Sequence, residues 1–345
     1  MRRSRKTWLF ASLSAALLLT VILATAIGAV AIPAGVTLRI FLSQLGMSWL
    51  ETGDIARNTE AIVLSLRLPR VILGVLIGAS LALAGSTFQG LLRNPLADPF
   101  TIGVSSGAAT GATIAIFLNR LNGLYFPHMI PLFAFTGALL AIFFVYNLAK
   151  IGGQVPVATL LLAGVVVSSF LSAVISLLMV LAGENMQGIF FWLSGGLMMR
   201  SWTEIGFVAP YLLVGSGILF AYARELNIFL LGEEAALHLG VRVEFTKKLL
   251  LVTASLVTAA AVSVSGMIGF VGLIIPHAVR MVSGPDHRVL LPASALVGGI
   301  FLVWADVAAR TVLAPQEIPV GIITAFIGAP FFIYLLRKKK KEIRL

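Results

Sequence analysis

The chain has 345 residues, of which 59% are hydrophobic and only 11% are charged, and its mean hydropathy is +1.02. About 25% of the residues of a soluble domain are charged, so this chain lacks a polar surface for water and its main solvent is expected to be lipid. The absence of Cys excludes disulfides, thiolate metal sites and Cys nucleophiles. The net charge is +11, and the basic residues responsible for it cluster at the ends of apolar runs. This pattern is typical of membrane topology, so no nucleic-acid partner is expected.

Apolar runs long enough to cross a bilayer, about 20 residues each, recur along the chain. They predict ten spans, near residues 8–32, 61–84, 100–118, 129–149, 157–182, 205–222, 246–263, 266–282, 289–310 and 317–336. The first run is too long for the core of a signal peptide and is interpreted as an uncleaved span. The expected fold is an all-α polytopic membrane protein forming a single transmembrane domain over residues 1–345.

The distribution of basic residues predicts the orientation in the membrane. Cytoplasmic segments carry an excess of Lys and Arg. If both termini are cytoplasmic, most of the 25 Lys and Arg fall on the cytoplasmic side, including those of the basic N-terminus and of the tail from residue 337 to 344. An even number of spans satisfies this arrangement, which predicts a multi-pass membrane protein with both termini in the cytoplasm.

Three arginines are expected near the external ends of spans. Arg67 and Arg70 lie three residues apart, on one helical face. Asp306 and Arg310 have the i, i+4 spacing of an ion pair. Arginines at span ends commonly snorkel to the interface, but a cationic external rim of Arg67, Arg70 and Arg310 could also pair with the carboxylates of an acidic partner.

Two polar segments are expected at the cytoplasmic ends of spans. The loop around Arg93-Asn94-Pro95-Leu96 contains Pro95 and Pro99, which break a helix, and non-helical backbone near a membrane must be covered by protein or water. Residues 231–241, bounded by Gly232 and Gly240, can form a short amphipathic helix that exposes Leu and Ala. Its adjacent Glu233 and Glu234 disfavour anionic lipid and favour a groove on a cytoplasmic partner.

Several kinds of chemistry have no residues to support them. His277 and His287 lie ten residues apart with no convergent third ligand, so no metal site is predicted. The sequence contains no evident pair of a nucleophile and a base, so no catalytic residues are predicted. No G-x-x-x-x-G-K-[ST] sequence occurs, so the chain is expected to bind no nucleotide or other cofactor and to contain no nucleotide-binding domain. No chain of carboxylates crosses several spans, which argues against an ion-coupled secondary transporter without removing that alternative.

The motifs, taken together and in order, resemble the FecCD-type permeases of type II ABC importers for iron-siderophores, haem and cobalamin. The resemblance covers residues 60–336. The segments on which it mainly rests are RLPR at 67–70, AGSTFQGLLRNPLADP at 84–99, LGEEAALHLG at 231–240 and EIPVGIITAFIGAPFF at 317–332. It implies the type II importer permease fold, a transport subunit rather than an enzyme, and a location in the bacterial plasma or inner membrane.

The resemblance also implies roles for particular residues. Those that match family positions for docking a substrate-binding protein are Arg67, Arg70 and Arg310. The residues that match the helix coupling to the ATPase, within 231–241, are Gly232, Glu233, Glu234, Ala235, Leu239 and Gly240. The cytoplasmic gate is matched by Asn94, Pro95 and Leu96 and by the segment Val157-Ala158.

The resemblance implies an assembly around this chain. The partners would be a second permease subunit (a homodimer is expected, with a heterodimer as the alternative), two ABC ATPases that carry ATP and Mg, and one extracytoplasmic binding protein. The cargo implied is a metal chelate, with ferric siderophores expected first and cobalamin and haem behind. The alternatives are an ion-coupled secondary transporter of an apolar or chelated solute and a membrane-embedded scaffold or enzyme.

Overall fold

The computed structural model describes residues 3–28, 31–44, 55–122, 128–183 and 186–343, and these residues form helices and connecting loops without a strand. Residues 29–30 of the predicted first span and residues 1–2 and 344–345 of the basic ends lie outside this description. The helices are α1 (Arg3–Ala26), α2 (Ala34–Gln44), α3 (Arg57–Ala61), α4 (Leu68–Leu91), α5 (Val104–Asn122), α6 (Met129–Ala149), α7 (Val157–Ala182), α8 (Met186–Ser194), α9 (Trp202–Ala221), α10 (Ala223–Phe229), α11 (Glu233–His238), α12 (Val243–Ser265), α13 (Val271–Ser283), α14 (His287–Thr311) and α15 (Val320–Ile343). A π-helical turn, Ile62–Arg67, joins α3 to α4.

The predicted all-α fold is confirmed, and each of the ten predicted spans has a helix. Among the described residues, seven helical segments are long and apolar enough to cross a membrane: α1, the continuous segment Arg57–Leu91 that includes α4, and α6, α7, α9, α12 and α14. The other three predicted spans fall on the shorter apolar helices α5, α13 and α15.

The differences from the sequence prediction lie at helix ends and in short helices. The eighth span begins at Val271 rather than at residue 266, because Gly266 and Phe270 adopt positive φ angles of 68° and 69° that a helix cannot contain. Between the predicted spans lie the short helices α2, α8 and α10, which the sequence analysis did not predict. These helices have 7 to 11 residues, too few to give the signal of a span.

The helices α4, α12 and α14 form the centre of the bundle. In the most apolar 18-residue stretch of the α4 segment, 83% of the residues are buried, whereas in the corresponding stretch of α7 only 11% are buried. Close approach of helices requires small residues in a lipid environment. Gly78 of α4 and Gly298 of α14 provide it, since a Cβ on either glycine would collide with the carbonyl oxygen of the other.

Side-chain contacts define the two ends of the bundle. Lys6 contacts Asp286 where α1 and α14 begin, and Arg310 contacts Ala24 where both helices end, so α1 and α14 run parallel. Arg70, at the start of α4, also contacts the last third of α14, so α4 runs antiparallel to them. We call the end at which α4 begins the arginine end, and the end at which α4 finishes, next to α11, the α11 end.

Candidate functional site

Arg70 binds two carboxylates at the arginine end. Its Nε donates to both Asp306 oxygens at 3.1 Å, its Nη2 donates to Asp306 at 2.9 Å, and its Nη1 and Nη2 donate to Glu317 at 3.1 and 2.9 Å. The fork of donors in a guanidinium suits such paired contacts. Because Asp306 lies in α14 and Glu317 just before α15, one side chain of α4 joins three elements.

Arg67 and Arg310 bind the end of α1. Arg67 Nη1 donates to the carbonyl oxygens of Thr25 and Ala26 at 3.2 and 2.9 Å, and Arg310 Nη2 donates to that of Ala24 at 2.6 Å. The last carbonyls of a helix have no partner within the helix and carry partial negative charge, so two cations there are favourable. Asp306 and Arg310 form the predicted i, i+4 pair, with 3.5 Å between carboxylate oxygen and Nε, which confirms that expectation.

The three arginines predicted to dock a partner therefore lie close together, as a single cationic rim requires, but their side chains are largely buried in the protein. Arg67 and Arg310 are 9% and 7% exposed, and the Arg70 side chain is 13% exposed. The partners that they hold here are α1 carbonyls and carboxylates of the same chain. Their docking role stays a prediction.

A cavity of about 930 Å³ opens beside this arginine cluster. Arg70 and Glu317 form part of its wall, together with Arg200, Trp192 and Asn119. The indole nitrogen of Trp192 and the amide oxygen of Asn119 are buried and have no hydrogen-bond partner among the described residues. A polar group of a ligand or a water could satisfy one donor and one acceptor in this cavity.

Residues 231–241 contain a short helix, α11, as the sequence suggests. Gly232 precedes α11 with a φ of 114° and Gly240 follows it with a φ of 80°, conformations that favour glycine. Leu237 and Leu239 are each 60% exposed. The two glutamates differ in their surroundings: Glu234 is exposed, whereas the Glu233 carboxylate binds Lys247 at 2.9 Å.

The two predicted gate segments belong to separate parts of the chain, one in the turn after α4 and the other at the start of α7. Asn94 Oδ1 accepts a hydrogen bond from the Leu96 backbone N–H at 2.9 Å, which holds residues 94–96 in a turn with Leu96 exposed. Val157 and Ala158 begin α7 directly after Pro156. Among the described residues, no hydrogen bond or ion pair joins the two segments, so their gate role also stays a prediction.

A polar cluster that the sequence analysis did not predict connects α1, α10 and the start of α14 at the α11 end. Asn227 of α10 donates from Nδ2 to Asp286 at 2.8 Å and accepts at Oδ1 from the His287 backbone at 2.8 Å. Burial alone would raise the pKa of Asp286. Hydrogen bonds from Asn227 and the Arg288 backbone and the charge of Lys6 outweigh burial and lower it below its ordinary value. Only the N-cap position of Asp286 before α14 is visible in the sequence, as an acidic residue ahead of an apolar run.

These features together define a class of protein. The described residues form a bundle of ten apolar helices, with a cavity with polar walls at one end and an exposed short helix between glycines at the other, an arrangement that suits a membrane permease. The sequence model of the FecCD transport family matches residues 16–338. The chain belongs to the FecCD transport family, and it is a multi-pass ABC transporter permease rather than an enzyme.

Several relatives are similar over most of the chain. The cobalamin import system permease protein BtuC of Halobacterium salinarum is 54% identical over 286 residues, covering 83% of this chain and 76% of the relative. The hemin transport system permease protein HmuU of Yersinia pestis is 41% identical, covering 81% and 84%. A solved structure described as an inward-facing conformation of a metal-chelate type ABC transporter is 33% identical, with a TM-score of 0.79, covering 96% of this chain and 99% of that one.

Proposed function

We propose that the chain is the permease subunit of an ATP-driven importer that moves a metal chelate into the cytoplasm. The observation that carries the proposal is α11, which exposes Leu237 and Leu239 at one end of the bundle, where no element among the described residues covers them. Exposed apolar residues on a short helix suit insertion into a groove of a partner. The sequence contains no P-loop motif, so the partner would be an ABC ATPase that carries ATP and Mg.

In this proposal the α11 end faces the cytoplasm and the arginine end faces outward. Both termini are then cytoplasmic, as the excess of basic residues favours. A substrate-binding protein would dock at the arginine end. Its carboxylates would compete with the carbonyls of α1 for Arg67 and Arg310 and with Asp306 and Glu317 for Arg70. Docking and rearrangement of α1 would therefore be linked.

A second permease subunit would complete the translocation path. The helix α7 supports this proposal, because it leaves large apolar residues such as Leu162, Phe170 and Val180 exposed along one side. Such a surface suits either lipid or a second copy of the chain. A homodimer needs no further gene product and is the arrangement proposed here.

The relatives' names guide the choice of cargo. Cobalamin is the first candidate, since the relative named for it is 54% identical, and haemin and ferric citrate follow from relatives at 41% and 39%. This order differs from the expectation from sequence alone, which put ferric siderophores first. The cavity at the arginine end, with aromatic and cationic walls, suits a large polar chelate.

The alternative, an ion-coupled secondary transporter, is less well supported. Such carriers use buried carboxylates that can bind the coupling ion. Among the described residues, Asp306 is the acidic side chain buried within a span, and it is held by Arg70 and Arg310. A carboxylate bound by two guanidinium groups is poorly suited to bind a coupling cation.

The decisive experiment is uptake by proteoliposomes that contain this chain, its ABC ATPase and its binding protein. Labelled cobalamin, haemin, ferric citrate and a ferric hydroxamate are supplied singly. ATP-dependent uptake of one ligand that survives a protonophore supports the proposal and identifies the cargo. Uptake that needs no ATP and is abolished by the protonophore would establish the secondary transporter instead.

A further inference from the structure

One buried lysine of α12 contacts two other segments at the α11 end. Lys247, in the second turn of α12, is 2% exposed. Its Nζ donates to the Glu233 carboxylate at 2.9 Å, to the Val155 carbonyl oxygen at 3.0 Å and to Glu244 at 3.3 Å. An ammonium group has three donors, and each has a partner here.

The partners of Lys247 lie at informative positions. Glu233 is the first residue of α11, the helix proposed to contact the ATPase. Val155 comes two residues before Val157, the start of α7 and of the second predicted gate segment. Pro156, which separates them, fixes its own φ, so the connection from Val155 to α7 is short and stiff.

We propose that Lys247 is a positioning residue that transmits the displacement of α11 to the start of α7, and this inference rests on the proposed function. Separating Lys247 from Glu233 would leave this buried ammonium with only the longer contact to Glu244 of its own helix, which is costly, so the segments that share Lys247 move together. The glycines at positions 232 and 240, which flank α11, provide hinges about which such a unit can turn.

The chain contains a matched control for this residue. Lys248 is the next residue of α12, but its side chain is exposed, with Nζ 5.9 Å from the centre of the Tyr146 ring. Lys247→Met and Lys248→Met remove the same charge from neighbouring positions. Only the first change breaks the connection between α11 and the segment before α7.

The first test compares these variants in the proteoliposomes described above. For Lys247→Met we expect ATP hydrolysis to continue while the number of ligands taken up per ATP falls about tenfold, within the usual range for coupling between sites. Lys248→Met should keep the wild-type ratio. An unchanged ratio in Lys247→Met, or an equal fall in both variants, would overturn the inference.

A second test reads the connection without relying on transport. The chain has no Cys, so spin labels can be placed at Gln154→Cys and Leu237→Cys, both exposed positions, with unlabelled chain added in excess. The distance distribution between the labels should be narrow with Lys247 and broad in Lys247→Met and Glu233→Gln. Equal widths would refute the inference even if the proposed function holds, and failure of wild-type uptake would refute the function while this measurement still decides the connection.

Discussion

At the scale of single residues, the arginine end illustrates how partners determine the role of a charge. In the sequence, Arg67, Arg70 and Arg310 are basic residues near span ends, and both snorkelling and docking are consistent with them. In the structure they hold two carboxylates and the last carbonyls of α1. Their first role is to join α1, α4 and α14, and any docking must exchange these contacts.

The Arg70 interaction is predicted to be essential for stability. Arg70→Met leaves the buried Asp306 with only the longer contact to Arg310, and removing one partner of a buried pair costs about 3–5 kcal/mol. Arg57→Met, at an exposed position, should change stability by less than about 0.5 kcal/mol. Denaturant unfolding in detergent measures both. Recovery of stability in the double variant Arg70→Met/Asp306→Asn would attribute the loss to the unpaired carboxylate.

Asp98 is predicted to make stability depend on pH. Burial raises the pKa of Asp98 to about 6, against the opposing hydrogen bonds from Thr101 and the Phe100 backbone. Because the folded pKa lies above the unfolded value, stability falls as pH rises from about 4 to 6 and is level above, by about 2–3 kcal/mol in total.

Asp98→Asn should remove this fall, since the amide oxygen can still accept the hydrogen bond from the Thr101 backbone N–H. The measurement is the difference in unfolding free energy between wild type and variant at pH 4.5 and pH 7. A difference that does not change with pH would contradict the assignment.

At the scale of helices, close contacts between glycines hold the centre together. Gly78→Ala would place a methyl group against the Gly298 carbonyl and push α4 away from α14. We expect a loss of about 1–3 kcal/mol, as for other overpacked cores. Gly206→Ala in α9 is the control, because a Cβ there meets nothing within 4 Å, and it should be neutral or stabilise by up to about 1 kcal/mol. Equal effects in thermal unfolding would contradict the close crossing.

The exposed face of α11 is predicted to determine ATPase binding. Leu237→Arg should abolish copurification of the ATPase while the permease itself remains folded, because the side chain contributes little to the core of its own chain. Leu313→Arg is a matched control: Leu313 is 58% exposed and lies after α14, at the arginine end. Loss of the ATPase in both variants, or in neither, would contradict the assignment of α11.

At the scale of the whole molecule, the bundle has two chemically distinct ends, and their sidedness can be measured. Because the chain has no Cys, Leu239→Cys and Leu313→Cys each introduce a single thiol at an exposed position, one at the α11 end and one at the arginine end. In intact cells a membrane-impermeant maleimide should label position 313 and should reach position 239 only after lysis. The opposite pattern would invert the proposed orientation.

The sequence by itself determined the class of the protein and the number and approximate positions of its spans. This was possible because the cost of placing polar residues in lipid acts on each stretch of chain separately. It also indicated α11, whose flanking glycines and exposed leucines are local features. Short helices such as α8 were missed, since nine residues carry no periodic signal of sufficient length.

Only the tertiary structure decided what the charged residues contact. Arg70 and Asp306 are 236 residues apart in sequence, and Lys247 and Val155 are 92 apart. Likewise, Glu233 binds Lys247 and Glu234 remains exposed because Glu233 is the one that faces α12. Hydropathy describes how each segment meets its solvent, whereas these partnerships depend on how helices distant in sequence pack against one another, and no single stretch of sequence contains that information.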